Sequence, residues 1–77
     1  MTTLVAMDMT HSRERFDEAL RRAKSEFLEM PGLKLTAAQA ARLLSVDPTL
    51  CHRVLAALVE SRFLTETSKS SFVRARH

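Results

Sequence analysis

Apolar residues recur at three- and four-residue steps along most of this chain, and the step changes only near its end. Phe16, Leu20, Ala23, Phe27 and Met30 form one stripe at helical period, which predicts a helix from Ser12 to Met30. Thr10 or Ser12 can cap its start. Glu14 and Asp17 sit near the N-terminal end, where the helix dipole favours negative charge. Asp17–Arg21 and Glu18–Arg22 are favourable pairs at i,i+4, whereas Glu14–Glu18 is an unhelpful like-charge pair. The dipeptide Pro31–Gly32 ends this helix. "LKL" (Leu33–Leu35) then forms a short extended link with both leucines on one side.

A second helix is predicted to start behind Thr36, an N-cap with Gln39 at the capping-box spacing. Its apolar positions are Ala37, Ala40, Ala41 and Leu44, and the small alanines permit close approach of a neighbouring helix. Ser45–Val46 makes the turn. Asp47 is the next N-cap, with Pro48 at the first helical position, where a missing N–H costs nothing. The third helix carries Cys51, Val54, Leu55, Leu58 and Val59 on one stripe. After Arg62 the period shortens. Phe63–Thr67 and Ser71–Ala75 flank the polar cluster "TSKSS", which predicts a hairpin whose turn lacks Gly or Asn. The chain is thus expected to be mainly α with a small β-hairpin. Residues 1–11 are expected as a flexible N-terminal arm and residues 12–77 as one domain. Leu4, Val5, Met7 and Met9 make the arm apolar enough to pack on a second copy of the chain.

At 77 residues the chain is near the lower end of what folds alone, so most of its apolar positions are needed for a core. A single cysteine cannot close an internal disulfide, which points to the cytoplasm. The N-terminal ten residues lack the basic start and long apolar run of a signal peptide, and no stretch is long and apolar enough for a membrane span. The net charge of +3 is unevenly spread. Residues 1–30 hold five basic and six acidic side chains, whereas residues 31–77 hold seven basic and three acidic. A basic half favours a polyanionic partner; an ordinary solubilising surface has the same composition.

Few residues invite catalysis. His11, His52 and His77 are dispersed, and no His or Cys pair has metal-ligand spacing. Cys51 and His52 are neighbours on a helix and point to different faces, so they cannot act as nucleophile and base. Cys51 is a small core residue by position. With one glycine, the chain has no phosphate-cradling loop. No enzymatic activity, catalytic residue, metal or cofactor is therefore expected.

Three helices, a short strand before the second and a hairpin after the third resemble the winged helix-turn-helix family, over roughly Ser12 to Ala75. The family's small residue, turn residue and following apolar residue fall on Ala41, Ser45 and Cys51, with Ala40, Leu44, Val46 and Val54 as the flanking buried positions. The phrase "EFLEMPGLKLT", followed by "QAARLL", is similar to the opening of small stand-alone winged-helix proteins. Two positions depart from the pattern. Ser45 stands where the family's turn usually has glycine, which is tolerable if the turn is not strongly left-handed. Arg62 stands where a glycine often precedes the wing, and a positive φ there would store strain.

The stripe on helix 3 turns Thr49, His52, Arg53 and Ala56 outward. By the resemblance these positions reach base edges in the major groove of double-stranded DNA. Arg53 would donate two hydrogen bonds to guanine, and Thr49 and His52 would contact bases or phosphates. Arg42 on helix 2 would grip backbone phosphate. Lys69 at the hairpin tip and Arg74 on its second strand would touch the adjoining groove or phosphate. The resemblance implies a small, sequence-specific transcriptional regulator that doubles its site as a homodimer through the arm and the outer surface of helix 1. The alternative is a non-enzymatic module that uses the same shape to bind a protein partner. Leu50 and Val59, near the outer face of helix 3, and Asp47, which repels phosphate, favour that alternative.

Overall fold

A computed structural model describes the backbone of residues 2–75 and the side chains of residues 13–75. The element order is α1 (Thr2–Glu29), β1 (Leu35–Thr36), α2 (Ala37–Leu44), α3 (Pro48–Glu60), β2 (Leu64–Glu66) and β3 (Ser71–Arg74). The architecture is mainly helical with a small antiparallel sheet in the order β1-β3-β2. Leu35 pairs with Phe72 and Thr36 with Ser71, while Leu64, Thr65 and Glu66 pair with Arg74, Val73 and Phe72. The hairpin expected from the sequence is present, and the link before α2 becomes its third strand.

The helix α1 starts at Thr2, ten residues before the expected Ser12, so its backbone runs through the stretch expected as an arm. Thr10 and Ser12 lie inside the helix and do not cap it. The expected packing of Leu4, Val5, Met7 and Met9 lies outside the described side chains. At the other end the helix stops at Glu29. Pro31 disfavours helical backbone for the residue before it. Met30 therefore leaves the stripe and is 46% exposed, contrary to the sequence expectation. The face that packs is Ala19, Ala23 and Phe27, all buried, with Phe16 and Leu20 partly so.

Thr36 caps α2 as its spacing predicts. Its Oγ1 accepts from the Gln39 backbone N–H at 3.2 Å, and the Gln39 Oε1 accepts from the Thr36 N–H at 2.9 Å. Asp47 caps α3, accepting from the Leu50 N–H at 2.9 Å, with Pro48 behind it. Ala40, Ala41 and Leu44 of α2 meet Cys51, Val54, Leu55 and Leu58 of α3 in one core, which α1, Leu64 and Phe72 close. The alanines give α2 the low profile that lets α3 and α1 both pack against it. Burial, then the negative Asp47, push the Cys51 thiol above its ordinary value. The thiol donates to the Ala37 carbonyl at 3.6 Å and behaves as a packed, protonated side chain.

Both α2 and α3 end in the same way. Val46 N–H bonds to the Ala41 carbonyl and Ser45 N–H to the Arg42 carbonyl. Phe63 N–H bonds to Leu58 and Arg62 N–H to Val59 in the identical pattern. This paired closure requires a left-handed residue just past the helix, most often glycine. Ser45 (φ 57°) and Arg62 (φ 66°) occupy those places. The turn is thus left-handed, and Ser45 is not the relaxed substitute the sequence allowed. Ser70 (φ 60°) does the same in the hairpin. Its N–H closes a turn onto the Thr67 carbonyl at 3.0 Å, and Thr67 Oγ1 accepts from Ser71 N–H. That is a three-residue hairpin loop with a left-handed last residue. The chain's one glycine, Gly32, has no positive φ and open space about its missing Cβ. Left-handed backbone costs a non-glycine residue about 1–2 kcal/mol, of which glycine's larger unfolded-state entropy offsets part. Ser45→Gly should therefore stabilise by about 0.5–1 kcal/mol, read as a higher urea midpoint at unchanged m-value. A lower midpoint would mean that the serine side chain stabilises this turn.

Candidate functional site

The inner side of α3 is consumed by the core, since Cys51, Val54, Leu55 and Leu58 are each 2% exposed or less. That fixes the rotation of the helix. Thr49, His52, Arg53 and Ala56 stand in solvent, as the periodicity predicts. The outer side is bounded by α1 on one flank and the hairpin on the other. Arg53 leans toward α1, with its guanidinium 5.4 Å from the centroid of the Phe16 ring. His52 leans toward the hairpin and lines a shallow groove of about 510 Å³ with Ala56, Val59, Ser70 and Phe72. Leu50 is half-buried and faces the α1 flank beside Ala19 and Val46. Val59 is half-buried against the core and the same groove as His52. Neither of these two is a free apolar surface.

The remaining cations fall in different places. Lys69 is exposed at the hairpin tip, next to Ser70, which shares the groove with His52. The hairpin tip and the open side of α3 are therefore neighbours. Arg42 is exposed in the last turn of α2. Arg74 is the exception to the expected convergence. It sits at the hairpin base, paired across from the buried Leu64, with its guanidinium 4.2 Å from the Phe63 centroid. Lys24 of α1 approaches the same ring at 5.5 Å.

Carboxylates shape the field around α3. Asp47 covers the helix N-terminus, where free N–H groups would otherwise attract an anion. Glu60 and Glu66 line the groove on the hairpin flank. Cations thus stand at Arg53, on the α1 flank of α3, and at Lys69, on the hairpin tip, while carboxylates hold the helix N-terminus and the groove. Arg22, expected as a partner of Glu18, donates from Nη1 to the Leu44 carbonyl at 3.2 Å and caps the end of α2 from outside.

Sequence reasoning missed Lys24, Phe16 and Phe63 as neighbours of the charged side chains. The spacing Phe16–Leu20–Lys24 places all three on one side of α1, which was the available signal. Among the described residues, no group of three or more His, Cys, Asp or Glu could hold a metal ion. No helix there is long and apolar enough to cross a membrane. The chain matches no family model, no curated protein and no solved structure.

Proposed function

We propose that this chain is a DNA-binding module of the winged helix-turn-helix kind, with α3 as the helix that enters the major groove and the β2–β3 hairpin as the wing. The observation that carries this reading is the rotation of α3. Its buried stripe, Cys51, Val54, Leu55 and Leu58, is spent on the core, and Thr49, His52 and Arg53 stand open at its N-terminal half beside a hairpin tip that carries Lys69. This is the end from which such a helix contacts bases. Arg53 offers a fork that matches guanine, and its contact with Phe16, at an exposed site, is worth only about 0.5–1 kcal/mol to release. Lys69 and Arg42 supply phosphate contacts. One module of this size binds without specificity at about 10⁻⁴–10⁻⁶ M, so useful specificity requires a second copy on a two-fold site. The biological role that follows is a small transcriptional regulator.

Two substitutions test the division of labour. Arg53→Ala should lose about 1–3 kcal/mol on the preferred duplex and relax preference at one base position. Lys69→Ala should weaken binding nearly equally on all duplexes, because a hairpin-tip lysine meets phosphate. Neither should move the melting temperature much, since both side chains are in solvent. Unchanged binding by both variants would sink the reading.

A second reading has its own support. Glu60 and Glu66 beside Ala56, Val59 and Phe72 make the hairpin-flank groove mostly apolar with acidic side chains on its lining. Such a groove suits a basic, apolar segment of a protein partner better than phosphate. If the chain ignores duplex DNA, and Glu60→Lys abolishes its binding to a basic protein segment, this second reading is favoured.

A further inference from the structure

Phe63 carries two cations. Lys24 Nζ lies 5.5 Å from the ring centroid and the Arg74 guanidinium 4.2 Å from it. They come from elements far apart in sequence, α1 and β3, so the fold itself brings them together. Like charges held around one ring repel each other, and the ring offsets only part of that cost. The residues one helical turn from Lys24 are Leu20, Arg21, Phe27 and Leu28, none of them acidic. Arg74 has Val73 and Ala75 beside it and Leu64 across the sheet. The nearest carboxylate on its face of the sheet is Glu66, two residues along β2, and that side chain lines the groove with His52 and Ser70. Among the described residues, no carboxylate is thus placed to neutralise the pair.

A second cation–ring contact lies on the same side of α1. Arg53 stands over Phe16, and Phe16, Leu20 and Lys24 follow each other at i, i+4 and i+8. Two helical turns, about 12 Å, separate the two positions. One strand of a duplex presents about three phosphates over such a length of axis. The row Arg53, Lys24, Arg74 therefore has the charge and the reach of a phosphodiester backbone. It lies on the α1 flank, away from the hairpin tip and from Glu60 and Glu66.

We propose that Lys24 and Arg74, gathered on Phe63, form a phosphate-binding site that continues from Arg53 and holds the DNA backbone along the α1 flank. The inference rests on the DNA-binding reading and adds to it where the strand runs. The site binds two consecutive phosphodiester groups, one at each cation. Arg74 contributes from the hairpin base, and Lys24 makes α1 part of the nucleic-acid interface.

The test is a salt series on a random-sequence duplex, comparing the full chain with Lys24→Gln/Arg74→Gln and with Lys24→Arg/Arg74→Lys. Each phosphate contact contributes about 0.9 to the slope of log affinity against log salt. The Gln pair should flatten the slope by about 1.8. It should then lose about tenfold less affinity than the unmodified chain between roughly 50 and 200 mM salt. The charge-keeping pair should retain the slope even if it melts lower for want of the stacked guanidinium. A Gln pair that remains folded by circular dichroism and keeps the full slope overturns the site while leaving the DNA reading intact. A charge-keeping pair whose slope falls as far as that of the Gln pair reduces Lys24 and Arg74 to packing groups. If the unmodified chain binds no duplex even at low salt, the underlying reading fails and takes this site with it.

Discussion

Replacement of Phe27 by alanine is expected to cost about 3–5 kcal/mol, a large part of what a chain of 77 residues has to lose. Phe27 is 2% exposed and is the largest side chain that α1 gives to the core. It lines one crevice with Ala23, Leu35, Ala40, Leu44 and Leu55, so it joins α1, β1, α2 and α3 at once. The alanines around it cannot expand to fill the space, and the site has little means of collapse. Met30→Ala is the matched control. The stripe spacing makes Met30 equivalent to Phe27, whereas its exposure predicts a change within about 0.5 kcal/mol. Chemical denaturation of the two variants separates these expectations. Equal losses would show that α1 packs in the register its apolar spacing suggests, with Met30 buried.

Leu55→Ala is expected to cost about 2–5 kcal/mol. Leu55 is 1% exposed and lines a crevice with Ala40, Leu43 and Leu44 of α2. It holds the rotation of α3, and with it the outward direction of His52, Arg53 and Ala56. The variant should therefore lose stability and blur the orientation of the open face together. Leu55 and Phe27 line the same crevice, so the double variant should lose less than the sum of the two single losses, because both open one cavity. A melting curve barely moved by Leu55→Ala would mean that the stripe on α3 is misassigned.

The two cap-defined helices were legible almost residue by residue, because their signals are local. Thr36 with Gln39, and Asp47 with Pro48, each specify a helix start through hydrogen bonds made within four residues. The apolar stripe of α3 was equally plain, since its large side chains recur without interruption. The stripe of α1 was less so. Ala19 is buried but too small to stand out as apolar, and Met30 continues the spacing although Pro31 has already ended the helix. The left-handed turns at Ser45, Arg62 and Ser70 carried no composition signal, because glycine is absent from all three.

The candidate site divides along the same line. The outward direction of Thr49, His52 and Arg53 follows from helical period alone. Where each guanidinium comes to rest does not. Arg74 comes to rest over Phe63 because the sheet register sets it opposite Leu64, a long-range fact. Lys24 joins it only because α1 passes beside Phe63, just before β2. Charge along the chain thus locates the basic excess in its second half, but not the two flanks between which α3 stands.

The most direct test of the central claim is binding of the unmodified chain to a random-sequence DNA duplex, followed from low to physiological salt. About four to six phosphate contacts per chain, drawn from residues such as Arg42, Lys69, Lys24 and Arg74, predict a slope of about −4 to −5 in log affinity against log salt. Clear binding at low salt with that slope is the expected result. No binding at low salt, or binding that does not weaken as salt rises, would contradict the account and return α3 to the role of a docking surface for protein.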